Sequence, residues 1–351
     1  MPKFKTYDVA EMLGLTPIAC VSDHVIWTTL LTPQVRSLLG RVTDPGQPQV
    51  METLKGLFPG DEVTNLNDHR LYGGKFEFVR FPYINRLIRT EYGALVIKRD
   101  SSKIKAIGWY GDVMKGNGEM IYKAALRDRR FDGRRRTNDT ALLDFPFDDP
   151  MNKPLPLGSS SELSIYGFLP GSRLFDATGE QEYEAFIANP FTFLDRPDLF
   201  LRYFDRVWKS RRAPGQVAAP IPDVSRLIGP MFEKVTAAAG YDFLENAPSH
   251  YHVVMWALAL GYRITYEKDL QAIQALTAGI KRIKQNGVIL TRPQESWVVV
   301  LQSLRPVELI PPHLYLGGPV WPQNNIDQQN LWVNKPLHAR AAEMLPKPLS
   351  A

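Results

Sequence analysis

Hydrophobic and polar residues alternate through much of the segment from residue 75 to residue 126. Runs with this period of two lie at 75–81, 93–99, 103–112 and 119–126. A period of two is typical of half-buried strands, because successive side chains of a strand point to opposite faces. Asn117-Gly118, just before the last run, is typical of a tight turn between antiparallel strands. The pattern predicts an antiparallel β meander in the N-terminal half.

From about residue 178 onward the apolar residues recur every three or four positions, which is the period of an amphipathic helix. Predicted helices begin near residues 178, 196, 224, 250 and 268, and the last three end at Gly240, Gly261 and Gly287. Two apolar runs, at 288–291 and 296–302, then flank a polar Arg-Pro-Gln-Glu segment and predict a small hairpin. The predicted fold class is α+β, with a mainly helical C-terminal half and an extended proline-rich tail.

The chain contains 28 prolines, and each of them removes a backbone donor and fixes φ. The prolines cluster at 146–156, 214–222 and 306–348, and we place the boundaries near these clusters. The predicted domains are an α+β domain with the meander at 1–155, a strand with a helical connector and linker at 156–222, a three-helix plus hairpin domain at 223–303 and an extended C-terminal docking arm at 304–351.

The predicted docking arm combines many prolines with many large apolar residues. It is too rich in proline for a helix bundle and too apolar for a solvated linker. We expect it to lie in a groove of its own or a neighbouring subunit, with Trp321, Trp332 and Tyr315 as contacts. The alternative is that the arm completes the subunit's own core, and the sequence does not separate the two.

The composition excludes several classes of protein. The single cysteine, Cys20, closes no intramolecular disulfide and founds no thiolate zinc cluster. No stretch approaches the roughly 18 apolar residues that span a bilayer. We therefore expect a cytoplasmic protein, or a virion protein if the source is viral. The formal net charge of +5 permits binding to a polyanion without implying it.

Arginine is concentrated in residues 127–136, which contain six arginines. The planar guanidinium suits phosphate or carboxylate, so this segment is a candidate contact with nucleic acid or an acidic partner. The candidate residues are Arg129, Arg130, Arg134, Arg135 and Arg136. Aspartates at 139, 144, 148 and 149 offer an equally good alternative, in which the arginines are neutralised within the chain.

Three helices followed by a hairpin, at 224–302, is also the element order of a winged helix. Lys281, Arg282 and Lys284 lie near the end of the third helix, where a recognition helix would meet phosphate. The segment between the second and third helices is longer than a helix-turn-helix normally allows. Nucleic-acid binding is therefore the second hypothesis for this chain.

The sequence contains no recognised catalytic signature, and we predict neither a cofactor nor a metal site. His250 and His252 would share a face of a strand, but on the predicted helix they diverge by about 200°. We expect a structural or assembly protein of a larger complex, such as a virus or phage particle, a tail or a secretion-type apparatus, with protein subunits as partners and homo-oligomers in particular. An enzyme of unfamiliar type is the third hypothesis.

Overall fold

A computed structural model describes twelve parts of the chain, and structural statements refer to these alone. They are residues 18, 21, 49–51, 87–89, 93–99, 103–110, 119–128, 160–167, 178–210, 212–216, 224–322 and 331–347. The chain forms two compact units, and each unit is built from two separate segments. The first comprises Met1–Gly171 and Pro220–Glu245, and the second comprises Ser172–Ala219 and Asn246–Ala351. The mixture of helices and sheet confirms the α+β class.

The first unit contains a sheet whose described strands follow one another in chain order. The strands are β1 (Gln49–Met51), β2 (Leu87–Arg89), β3 (Gly93–Arg99), β4 (Lys103–Tyr110), β5 (Glu119–Asp128), β6 (Ser160–Gly167) and β7 (Phe243–Asn246). Successive pairs from β1 to β6 are antiparallel, and β7 pairs in parallel with β6. The first predicted strand, at 75–81, lies outside the described residues, so the meander over 75–126 stays a prediction.

Helix α3 (Val224–Ala238) belongs to the first unit and packs against β6. It continues through Pro230, and its buried face includes Ile228, Phe232 and Val235. Beyond α3, the buried Tyr241 hydroxyl donates to the buried carboxylate of Asp128 at 2.7 Å. A buried carboxylate needs such donors, because its desolvation is costly. This bond joins the end of β5 to the segment that leads into β7.

The second unit is mainly helical. Its helices are α1 (Gln181–Ala188), α2 (Pro197–Lys209), α4 (Tyr251–Ala259), α5 (Glu267–Gln285), α6 (Arg292–Leu301) and α7 (Ala339–Glu343). Strands β8 (Arg263–Ile264) and β9 (Val333–Pro336) form an antiparallel pair. Single 3-10 turns occupy Pro190–Phe193, Val307–Leu309 and Pro312–Leu314. No helix in the described part of the chain is long and apolar enough to cross a membrane.

The glycine signals at the ends of three predicted helices are confirmed. Gly240, Gly261 and Gly287 follow α3, α4 and α5, and each has a positive φ, between 85° and 92°. This left-handed conformation strains residues that carry a Cβ atom and stops a helix. The helices predicted to begin near residues 178 and 196 are also present, as α1 and α2.

The hairpin predicted at 288–302 is wrong, because residues 292–301 form helix α6. Thr291 begins it with a capping box: its side chain accepts from the Gln294 backbone, and the Gln294 side chain accepts from the Thr291 backbone. The run from Ser296 to Leu301 is buried on every side. A fully buried segment shows no periodicity, so its pattern does not separate strand from helix. The winged-helix interpretation therefore lacks the hairpin that would form the wing.

The described part of the C-terminal arm packs within the second unit. Both Trp321 and Trp332 are fully buried. The carbonyl of Trp332 accepts from the backbone and the hydroxyl of Thr265, beside β8. The described residues of the arm therefore pack on their own subunit, and docking of the arm on a neighbouring subunit stays a prediction. Tyr315, the third predicted contact, is partly exposed.

One ion pair of the second unit is buried. Arg212 donates two bonds of 2.9 Å to the carboxylate of Glu184, whose side chain is 1% exposed. Burial alone would raise the pKa of Glu184, but the hydrogen bonds and charge of Arg212, together with hydrogen bonds from Thr178, outweigh burial and lower that pKa. The pair fastens the segment after α2 to α1.

We predict that Arg212→Ala destabilises the protein by about 3 kcal/mol, because it leaves the buried Glu184 carboxylate without its cation. Chemical denaturation measures this change. Lys209→Ala is the matched control, since Lys209 and its partner Asp205 are both well exposed and should contribute little. Equal effects of the two variants would show that the Glu184–Arg212 pair is not buried in solution.

We predict that alanine affects stability differently at two glycines that lie in helices. A Cβ atom at Gly279 would lie 2.9 Å from Cβ of Leu316, so Gly279→Ala should destabilise the protein by about 1–3 kcal/mol. Gly229→Ala in α3 meets no atom within 4 Å and should be neutral or slightly stabilising. Thermal unfolding of both variants tests the packing of residue 316 on α5, and a stable Gly279→Ala protein would contradict it.

Candidate interaction surface

Helices α5 and α6 are joined by a short connection, residues 286–291, whose two ends are both capped. We name residues 286–292 the α5–α6 tip. The backbone of Val288 donates to the carbonyl of Ile283, and that of Gly287 donates to the carbonyl of Lys284. This pair of bonds is the Schellman motif, which satisfies the last carbonyls of a helix. Since the Thr291 capping box holds the other side, only two residues lie between the motifs.

Those two residues point in opposite directions. Leu290 is buried, whereas Ile289 is 93% exposed. A single exposed apolar side chain is common on protein surfaces. Ile289 is distinguished by its place, because the caps on either side hold it in a fixed position at the end of a helical pair.

Cations surround the tip. Lys281, Arg282 and Lys284 are exposed on the last turns of α5, and Arg292 is exposed at the start of α6. Lys284 pairs with Glu295 at 2.8 Å. Within the part of the chain that the structure describes, Lys281, Arg282 and Arg292 have no carboxylate at ion-pair distance. The tip is therefore apolar at its centre and positive at its edge.

The C-terminal segment contacts α5 close to the tip. The Arg282 guanidinium donates to the carbonyl of Leu316 at 2.9 Å, and Leu316 packs against Gly279 of α5. Tyr315, which precedes Leu316, is 39% exposed. The backbone beside Tyr315 therefore lies next to the basic end of α5.

The basic residues at the end of α5 also have a structural explanation. Glu267 and Asp269 lie in its first turn, and Arg282 and Lys284 lie in its last turn. This distribution complements the helix macrodipole and stabilises α5 without any partner. Of the three predicted nucleic-acid contacts on α5, only Lys281 is without a described bond. Arg129, Arg130, Arg134, Arg135 and Arg136 lie outside the described residues.

The two histidines of the H-x-H motif lie inside the second unit. The His250 ring stacks between Phe191 and His252, with centroid distances of 6.0 and 6.1 Å and nearly parallel planes. Gly215 lies directly against the His250 ring. Imidazole lone pairs lie in the ring plane, so two parallel rings do not aim their nitrogens at one metal ion. No group of three or more possible metal ligands occurs among the residues described.

Burial governs the protonation of this histidine pair. It lowers the pKa of His250 to about 3, aided by His252 and opposed by a hydrogen bond with the backbone of Ala188. Burial also lowers the pKa of His252 to about 4. Nδ1 of His252 lies 3.1 Å from the Ser296 hydroxyl, but an imidazole that binds protons so weakly is a poor general base. The arrangement suits a neutral packing role.

We predict that the protein loses stability as the pH falls below about 6. Unfolded histidine binds a proton near pH 6.5, whereas both buried rings stay neutral in the folded state to about pH 4. The unfolded state therefore binds more protons below pH 6.5, and each histidine removes about 1.4 kcal/mol per pH unit. Urea denaturation from pH 8 to pH 4.5 measures the slope.

The variant His250→Phe should reduce this slope by about half, because it removes one of the two proton sites and keeps a ring between Phe191 and His252. Replacement of the exposed His313 by asparagine is the control and should retain the wild-type slope. If His250→Phe also retains it, the buried pair is not the source of the acid sensitivity.

The tip residue Ile289 was not among the predicted contacts, because the sequence pattern placed it in a strand. The signal that would have found it is the pair of cap motifs, Asn286-Gly287 and Thr291 with Gln294, which leave three residues between them. Comparison of the chain with protein-family models, with curated proteins and with solved structures finds no match.

Proposed function

We propose that the chain is a structural or assembly protein, a subunit that associates with further copies of itself through protein–protein contacts. We propose that the larger complex is a virus or phage particle, a tail or a secretion-type apparatus. On this proposal the protein resides in the cytoplasm, or in the virion if it is viral. Its partners are protein subunits, with homo-oligomers as the first expectation.

The observation that carries the proposal is the exposed Ile289 at a capped tip. Burying an isoleucine side chain against a partner contributes about 2–3 kcal/mol. A contact made by a mobile loop loses part of this to ordering, whereas residues already held by hydrogen bonds lose little. Ile289 is thus placed where an intermolecular contact costs least.

The residue types around Ile289 support the same proposal. Arginine is enriched at protein interfaces, and Arg282 and Arg292 are exposed on the two sides of the connection that contains Ile289. The charged groups lie around the apolar centre, which matches the usual arrangement of a polar rim about an apolar core.

We also propose that residues 75–126 of the first unit form an antiparallel meander.

A second candidate function is nucleic-acid binding. The three cations at the tip that lack a carboxylate partner favour it, because phosphate contacts need such free charges. It would appear as retention on DNA that weakens steeply between about 50 and 200 mM salt. The winged-helix geometry has no part in this candidate, since α6 replaces the hairpin.

We predict that the purified full chain has a native mass that rises with concentration above the 39.8 kDa of one copy. Light scattering coupled to size exclusion, from about 1 to 100 µM at physiological salt, measures it. That range covers contacts of about 5.5 to 8 kcal/mol. A mass of one copy throughout would contradict the proposal.

A further inference from the structure

The charge of the tip restricts how two copies can meet through it. Lys281, Arg282 and Arg292 carry charge that no described carboxylate offsets. If two tips faced each other across a two-fold axis, these cations would be juxtaposed, at a cost of several kcal/mol. A self-associating chain that uses this tip must therefore place it on a different surface of the next copy.

A complementary surface lies at the other end of the same unit. The side chain of Gln294, in the first turn of α6, donates to the carbonyl of Trp208 at 3.3 Å, so the C-terminal end of α2 is beside the tip. Helix α2 has thirteen residues and is about 20 Å long. Its N-terminal end is therefore well separated from the tip.

That N-terminal end of α2 has a small excess of negative charge, because its carboxylates outnumber its guanidiniums by one. Asp195 and Asp198 are exposed, and neither has a cation at ion-pair distance within the described residues. Arg196, between them, is bound by Glu182 at 2.8 Å. Arg202, one turn further along, lies over the ring of Tyr203. Leu194 and Leu199, in the same stretch, are only partly buried and offer apolar surface to a partner.

We infer that the α5–α6 tip of one copy docks on the N-terminal end of α2 of a second copy, with Ile289 against the leucines and the tip cations against Asp195 and Asp198. This inference rests on the proposed function. The contact joins two different surfaces, so it is heterologous, and it generates rings or open chains. Each copy then has one donor tip and one acceptor end.

The first experiment measures the native mass of the full chain and its tip variants. Ile289→Ser removes the apolar anchor, and the double variant Lys281→Glu with Arg292→Glu reverses the tip charge. Each should weaken self-association at least tenfold, and the wild-type mass should fall as salt rises from 50 to 500 mM. Ile289→Leu and Lys268→Glu are controls that should retain the wild-type mass, since Lys268 is an exposed cation at the other end of α5.

The second experiment tests the acceptor by a charge exchange. The double variant Asp195→Lys with Asp198→Lys should also be impaired alone, because its acceptor end repels the tip. Mixed with the tip-reversed variant, it should recover the assembly, since each tip now meets an acceptor of opposite charge. Circular dichroism and melting of every variant establish that the loss of mass is not a loss of fold.

The third experiment separates the heterologous contact from a two-fold one. An excess of tip-reversed chain keeps a normal acceptor, so it should cap wild-type assemblies and lower their mass. In a tip-to-tip arrangement the reversed tip would instead pair with a wild-type tip of opposite charge, so mixed dimers would replace wild-type dimers at unchanged mass. An unchanged mass would therefore overturn the inference.

A wild-type protein that stays a single copy overturns the proposed function and with it this inference. If both the Ile289→Ser variant and the charge-reversed variant assemble as the wild type does, the inference is wrong but the proposed function stands. Tip variants that lose retention on a DNA oligonucleotide while keeping the wild-type mass likewise overturn the inference and identify the tip as a polyanion contact.

Discussion

Trp297 is a fully buried side chain that joins the two separate segments of the second unit. Its ring is fully buried and stacks on Phe186 of α1, with centroids 5.4 Å apart and planes 9° apart. Its indole N–H donates to the carbonyl of Arg212 at 2.9 Å. A buried indole contributes large apolar area and must also satisfy one donor, so it fixes both position and orientation. Helix α6, which carries Trp297, contacts α2, α4 and α5.

The dependence on Trp297 explains the buried ion pair beside it. The carbonyl that receives the indole bond belongs to Arg212, and the Arg212 guanidinium holds Glu184 on α1. The short segment after α2 is therefore fixed on two sides, by a neutral bond to α6 and a charged one to α1. An apolar pair would fill the same volume at lower desolvation cost, but it would not specify which atoms face each other. The polar contacts locate residues 212–216 between α1 and α6.

Features that depend on neighbouring residues could be predicted from the sequence, whereas contacts between distant residues could not. The ends of α4 and α5 were predictable, because a glycine with positive φ terminates a helix through its own backbone. The buried run of α6 was misread, because burial on all sides removes the period that distinguishes strand from helix. The contacts of Glu184 with Arg212 and of Gly279 with Leu316 join residues 28 and 37 positions apart, and no local pattern encodes such pairings.

The same non-local packing determines what the tip can present. The backbone of Val288 and the side chain of Thr291 form the caps, and Leu290 is buried, so no described contact of the tip depends on the side chain of Ile289. A polar residue there would serve the fold equally well and would lower the exposed apolar area. The fold therefore accounts for the conformation of residue 289 but not for its being isoleucine. On the proposed function, burial against another protein surface accounts for the side chain.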